Sequence, residues 1–66
     1  MITEIGIVAG EIWHYLDQHG EVALGLLVKE LDRPREYVLM SLGWLAREGH
    51  VILAQVEGDY KVSLRK

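Results

Sequence analysis

The sequence predicts an α+β domain in which three helices precede a two-stranded β-hairpin. Two periodicities carry that expectation: apolar residues recur at helical spacing as far as Gly49, and at every second position beyond it. A third observation sets the order, because Gly20, Asp32-Arg33-Pro34, Gly49 and Glu57-Gly58-Asp59 punctuate the chain between the periodic segments.

In the first segment Ile5, Val8, Ala9, Ile12, Trp13 and Leu16 follow the i, i+3, i+4, i+7, i+8, i+11 pattern of an amphipathic helix. The spacing predicts a helix over residues 4 to 19, with Thr3 as its N-cap, Glu4 at the positive end of the dipole and Gly20 as the left-handed closing residue. Glu21, Val22 and Ala23 are too few for an independent strand. They suit a short third strand laid beside the hairpin.

Leu24, Leu27, Val28 and Leu31 repeat for two helical turns and make the second helix. Its start is weak, because Ala23 stands where a capping side chain is expected and Gly25 lowers helix propensity in the first turn. Proline disfavours the helical conformation in the residue before it and suits the first position of a helix, so Asp32-Arg33-Pro34 separates helix two from helix three. Helix three is expected from Pro34 to Glu48, with Val38, Leu42 and Leu45 on its core face, Tyr37, Ser41 and Trp44 beside them, and Gly49 closing it.

The run Val51 to Val56 is β-branched and aliphatic, Glu57-Gly58-Asp59 signals a turn, and Tyr60, Val62 and Leu64 alternate with Lys61, Ser63 and Arg65. This is a hairpin, and the full order of elements is the winged helix-turn-helix topology.

Sixty-six residues form one domain, 1–66, because a second core would need roughly 50 more. Half of the residues are hydrophobic and 26% are charged, a globular composition. A chain this short buries only about 60% of its unfolded surface, so its stability is expected to be marginal unless a disulfide, a metal or a partner subunit helps. No cysteine is present, and His14, His19 and His50 lack metal-ligand spacing, which leaves self-association and an expectation of no cofactor or metal. The longest apolar runs, Ile5 to Gly10 and Leu24 to Val28, fall far short of the ~20 residues that span a bilayer. A cytoplasmic, membrane-free setting is therefore expected.

The run Ser41-Leu42-Gly43-Trp44-Leu45-Ala46-Arg47-Glu48-Gly49, with Ala9-Gly10-Glu11-Ile12-Trp13 before it and Val56-Glu57-Gly58-Asp59-Tyr60 after it, resembles the short winged helix-turn-helix domains of uncharacterised role found in bacteria and archaea. The resemblance covers nearly the whole chain. It implies the winged fold and, by analogy alone, DNA binding. Ala23 and the Asp32-Arg33-Pro34 turn depart from the more usual polar cap and turn.

Two functional readings follow. In the first the domain is a DNA-binding, transcription-regulator module, with Lys29, Arg33, Arg35, Arg47 and Lys61 as the candidate contacts to duplex DNA. Each of these cations also reads as an ordinary solvated charge, since Glu30, Asp32, Glu36 and Glu48 lie beside them and the net charge is −3. In the second reading the domain is a protein-interaction module acting through homodimerisation, with no DNA binding. The expected outward face of helix three supports it: Glu36, Leu39, Met40, Gly43 and Arg47 offer no base-reading side chain at the middle of the helix. The strand Val51 to Val56 is apolar on both alternating sets, and Gly6 and Gly10 cost helix propensity unless something packs closely against them. The candidate interface is thus Gly6, Gly10, Leu39, Met40, Gly43 and Ile52. A second copy or another part of the same chain would serve at the two helical glycines.

Trp13, Trp44, Tyr15, Tyr37 and Tyr60 are expected in the core, where aromatics at helical spacing usually lie, and not as base-stacking platforms. No Gly-x-Ser-x-Gly elbow, Walker lysine or cysteine nucleophile is present, so no catalytic residues are assigned and the chain is read as a binding protein.

Overall fold

Six elements follow one another in the computed structural model, which describes residues 2–65: α1 Ile2–His19, β1 Val22–Ala23, α2 Leu24–Leu31, α3 Arg35–Arg47, β2 Val51–Val56 and β3 Asp59–Leu64. The three strands form an antiparallel sheet in the order β1-β3-β2. Val22 stands opposite Val62, and β2 pairs with β3 without a bulge from Val51 opposite Leu64 to Val56 opposite Asp59. The short third strand foreseen at residues 21 to 23 is therefore present, reduced to two residues.

One face of each helix and one face of the sheet meet in a core of Val8, Ala9, Ile12, Leu16, Val22, Leu27, Val38, Leu42, Leu45, Val51 and Val62. Apart from Val22 these are periodic positions of the sequence, with a single polar addition: the wholly buried Ser41 hydroxyl donates to the main-chain carbonyl of Ile5 at 3.0 Å. A buried hydroxyl without a partner would cost about 1–3 kcal/mol, so this bond favours one placement of α3 against α1.

Several local expectations are corrected. Thr3 is not an N-cap, because α1 already includes Ile2 and places Thr3 inside its first turn. The first N–H groups of a helix need no intrahelical acceptor, so the apolar pattern does not mark where a helix begins. Pro34 precedes α3 as its N-cap, with ψ 134°, and accepts the N–H groups of Tyr37 and Val38 on its carbonyl. Helix three is thus one residue shorter at each end than expected. Asp32 closes α2 in the left-handed conformation at φ 51°, one that a short polar side chain tolerates.

Gly49, at φ 80°, ends α3 in a Schellman motif: its N–H donates to Ala46, and the N–H of His50 donates to Leu45 at 2.9 Å. The wing turn has two residues and not three. Glu57 and Gly58 both have positive φ, 51° and 81°, as a type I′ turn demands, and Asp59 already belongs to β3.

The aromatic residues divide. Tyr15 and Tyr37 pack half-buried against the core, but Trp13, Trp44 and Tyr60 stand exposed, contrary to expectation. Trp44 lies six residues beyond Val38, about 240° around the helix, and so turns away from the core stripe. Tyr60 shares the core-side face of the hairpin with Val62, yet the hairpin runs on past the helices that cover Val62.

Candidate interaction surface

The surface of interest is built on α3, whose burial pattern follows from its sequence. Val38, Leu42 and Leu45 are buried, so the residues on the opposite side, Glu36, Leu39, Met40, Gly43 and Arg47, are all exposed. Trp44 joins them at 52% exposure. Four consecutive outward positions in the middle of the helix are therefore leucine, methionine, glycine and tryptophan, with charges only at the ends.

A shallow apolar hollow flanks α3 on each side. On the α1 side Ile2, Ile5, Gly6 and Trp44 surround a space of about 370 Å³. On the wing side Leu39, Leu42 and Gly43 face Leu53, Tyr60 and Val62 around about 150 Å³. The wing-side hollow exists because Leu53 and Tyr60, both on the core-side face of the hairpin, extend beyond the reach of α3 and remain about half exposed.

The candidate interface residues do not all share this surface. Leu39, Met40 and Gly43 lie together on α3, and Gly6 lines the hollow beside Trp44. Gly10 is a turn further along the exposed side of α1, while Ile52 belongs to the outer face of the sheet, in register with Ser63. A Cβ placed on Gly6, Gly10 or Gly43 would meet no heavy atom within 4 Å. The intramolecular explanation of the α1 glycines, a ring or helix of the same chain packed against them, is thereby overturned.

The candidate DNA contacts are dispersed. Arg35 and Arg47 are the first and last residues of α3, about 18 Å apart along the axis. Lys29 is exposed in the last turn of α2. Lys61 is in register with Ala54 on the sheet face that turns away from the helices, so it and the outward side of α3 occupy different surfaces. Arg33 is engaged: its Nε donates to Oε1 of Glu11 at 2.9 Å and its Nη2 donates to Oε2, a two-pronged pair tying the α2–α3 turn to α1. The guanidinium hydrogen bonds hold the Glu11 carboxyl below the usual carboxylate range and raise Arg33 in return.

Sequence reasoning missed Trp44, Leu53, Tyr60 and Ile2 as parts of this surface. For Trp44 a signal existed in its offset from the Val38, Leu42, Leu45 stripe. For Leu53 and Tyr60 none did, because their alternation is that of core residues. Among the described residues no group of His, Asp or Glu is placed to hold a metal ion, and no helix is long and apolar enough to cross a membrane.

Comparison with known proteins agrees with the architecture. The solution NMR structure of protein BT2368 from Bacteroides thetaiotaomicron is similar, with a TM-score of 0.83 and 26% sequence identity over 94% of this chain and 76% of that one. No curated protein matches the chain. The model of a family described as winged helix-turn-helix domain (DUF2582) matches residues 1–64, and the chain belongs to that family.

Proposed function

We propose that this chain is a non-catalytic protein-interaction module that works as a self-associated pair, docking through the apolar surface shared by α3 and the wing. The observation that carries this reading is the outward face of α3, where Leu39, Met40, Gly43 and Trp44 stand bare in the positions a DNA-reading helix fills with Arg, Asn, Gln or Lys.

The size of the surface supports the same reading. Leu39, Met40, Trp44, Leu53, Tyr60 and Ile2 are all substantially exposed. Together such side chains present on the order of 500–600 Å² of apolar area, at the top of what a monomer ordinarily exposes and approaching the ~800 Å² per partner of a standard interface. Burial of that area by a second copy also supplies the support that a disulfide-free domain of this length lacks.

Light scattering over a dilution series tests the proposal. A concentration-dependent dimer is expected, and Leu39→Glu is expected to dissociate it while leaving the circular dichroism of the monomer unchanged. A chain that stays monomeric at millimolar concentration overturns it.

Membership of a winged helix-turn-helix family favours a second reading, a DNA-binding module of the transcription-regulator type. Exposed Lys29, Arg35 and Arg47, with Lys61 on the wing, are then its phosphate contacts. In that case duplex affinity falls steeply with salt, and Arg35→Ala or Lys61→Ala weakens it. Absence of duplex binding at low salt and high micromolar protein removes this reading.

A further inference from the structure

The two edges of the sheet are unlike. At one edge β1 has two residues, too short to recruit another strand. At the other, β2 runs for six residues, Val-Ile-Leu-Ala-Gln-Val, with no charge, no proline and no bulge. Natural edge strands are usually blunted by one of those devices, and β2 has none of them. Among the described residues it pairs with β3 alone, and Ile52, Leu53 and Val56 are about half exposed, so side chains on both of its faces are only partly covered.

The direction of its main-chain groups follows from the ladder. Arg65 donates its N–H to the carbonyl of His50 at 3.0 Å. Hydrogen-bonded and non-hydrogen-bonded pairs alternate in an antiparallel ladder, so Ile52, Ala54 and Val56, like the carbonyl of His50, turn their main-chain groups toward β3. Val51, Leu53 and Gln55 turn theirs to the open edge.

We infer that β2 of a second copy of this chain fills that edge, antiparallel and centred on Leu53, so that two three-stranded sheets join into one of six strands. This rests on the self-association proposed above and names its seam. Three properties select a second copy. Antiparallel pairing of identical strands is two-fold symmetric and closes on itself. Only residues whose main-chain groups face outward can exchange hydrogen bonds, and of the two-fold registers this leaves, the one pairing Val51 with Gln55 and Leu53 with Leu53 engages all three. The strand has no charge, so no like charges meet across the seam.

The same register joins the two surfaces already described. Leu53 lines the wing-side hollow with Leu39 and Gly43, so pairing at Leu53 sets the hollows of the two copies side by side on one face of the joined sheet.

Amide hydrogen exchange on the unmodified full chain is the direct test, followed at concentrations below and above the association midpoint found by light scattering. The N–H groups of Val51, Leu53 and Gln55 are expected to slow by roughly a hundredfold or more on association, while those of the β2–β3 ladder change less. Gln55→Pro, which removes one outward N–H and leaves the β3 ladder intact, is expected to abolish the dimer. Should that variant fail to fold, the exchange pattern of the unmodified chain still decides. A dimer in which these three amides exchange as fast as in the monomer overturns the seam and leaves self-association standing. A monomer at every concentration overturns both. Protection that arises only when an extended peptide from another protein is added overturns the choice of a second copy.

Discussion

Ser41 on α3 is bound through its hydroxyl to the carbonyl of Ile5 on α1, 36 residues earlier, and nothing of its side chain reaches solvent. The bond joins the two helices that flank the larger hollow and sets the roll of α3 about its axis. That roll decides that Trp44, Met40 and Gly43 point outward. Ser41→Ala removes the donor, while the Ile5 carbonyl can keep its bond within α1. A loss of about 0.5–1.5 kcal/mol is expected in urea denaturation. Ser41→Val puts extra volume where there is no space and should cost about 1–3 kcal/mol. A neutral Ser41→Val would show that α3 is not held this way.

Two leucines separate core from surface. Leu27 is wholly buried, and Leu39 is exposed beside it in kind but not in place. Leu27→Ala is expected to destabilise by about 2–5 kcal/mol, enough to unfold much of so small a domain, and Leu39→Ala by well under 1 kcal/mol in the monomer. Denaturation of both variants at a concentration below any association checks the contrast.

Glycines of two kinds should respond with opposite signs. Gly58 has φ 81° in the wing turn, a conformation that disfavours a side chain, so Gly58→Ala should cost about 1 kcal/mol or more. Gly43 lies inside α3 with open space where its Cβ would stand, so Gly43→Ala should stabilise the monomer by about 0.5–1 kcal/mol. The same added methyl narrows the wing-side hollow, and it should weaken self-association. Thermal unfolding and a dilution series on Gly43→Ala report the two effects separately.

Glu11 gives the fold an acid-sensitive clamp. Hydrogen bonds from Arg33 lower its pKa in the folded state, so the pair stabilises the fold at pH values above the ordinary carboxylate pKa of about 4.3. That contribution fades as pH falls through the lower, folded value. The side-chain carboxyl carbon of Glu11, followed by NMR, should titrate below the ordinary carboxylate value. Arg33→Ala should move it back up toward that value, and salt should shrink the shift, since the pair is substantially exposed.

Most of the architecture is legible along the chain. Ile5, Val8, Ala9, Ile12 and Leu16 repeat as one helix face, Val38, Leu42 and Leu45 as another, and beyond Gly49 the period falls to two. Each of these signals is local, a matter of which side chains share a face within one element. Gly20, Gly49 and Gly58 mark element ends for an equally local reason, since each takes a positive φ. Helix boundaries were less legible, as Thr3 and Pro34 show, because an unpaired end turn can extend or retreat without disturbing the apolar stripe.

The sequence by itself therefore determined the elements, their order and the aliphatic stripes of the helices that form the core, though not which aromatic residues join it. Only the tertiary structure decided how far each apolar face is covered. Val62 and Tyr60 alternate identically on β3, yet one is sealed by the helices and the other stands half exposed, because coverage depends on where another element stops. Likewise Arg35, Arg47 and Lys61 resemble one basic set in the sequence and are scattered in space. Neighbourhood on a surface arises from packing between distant segments, which no local period records.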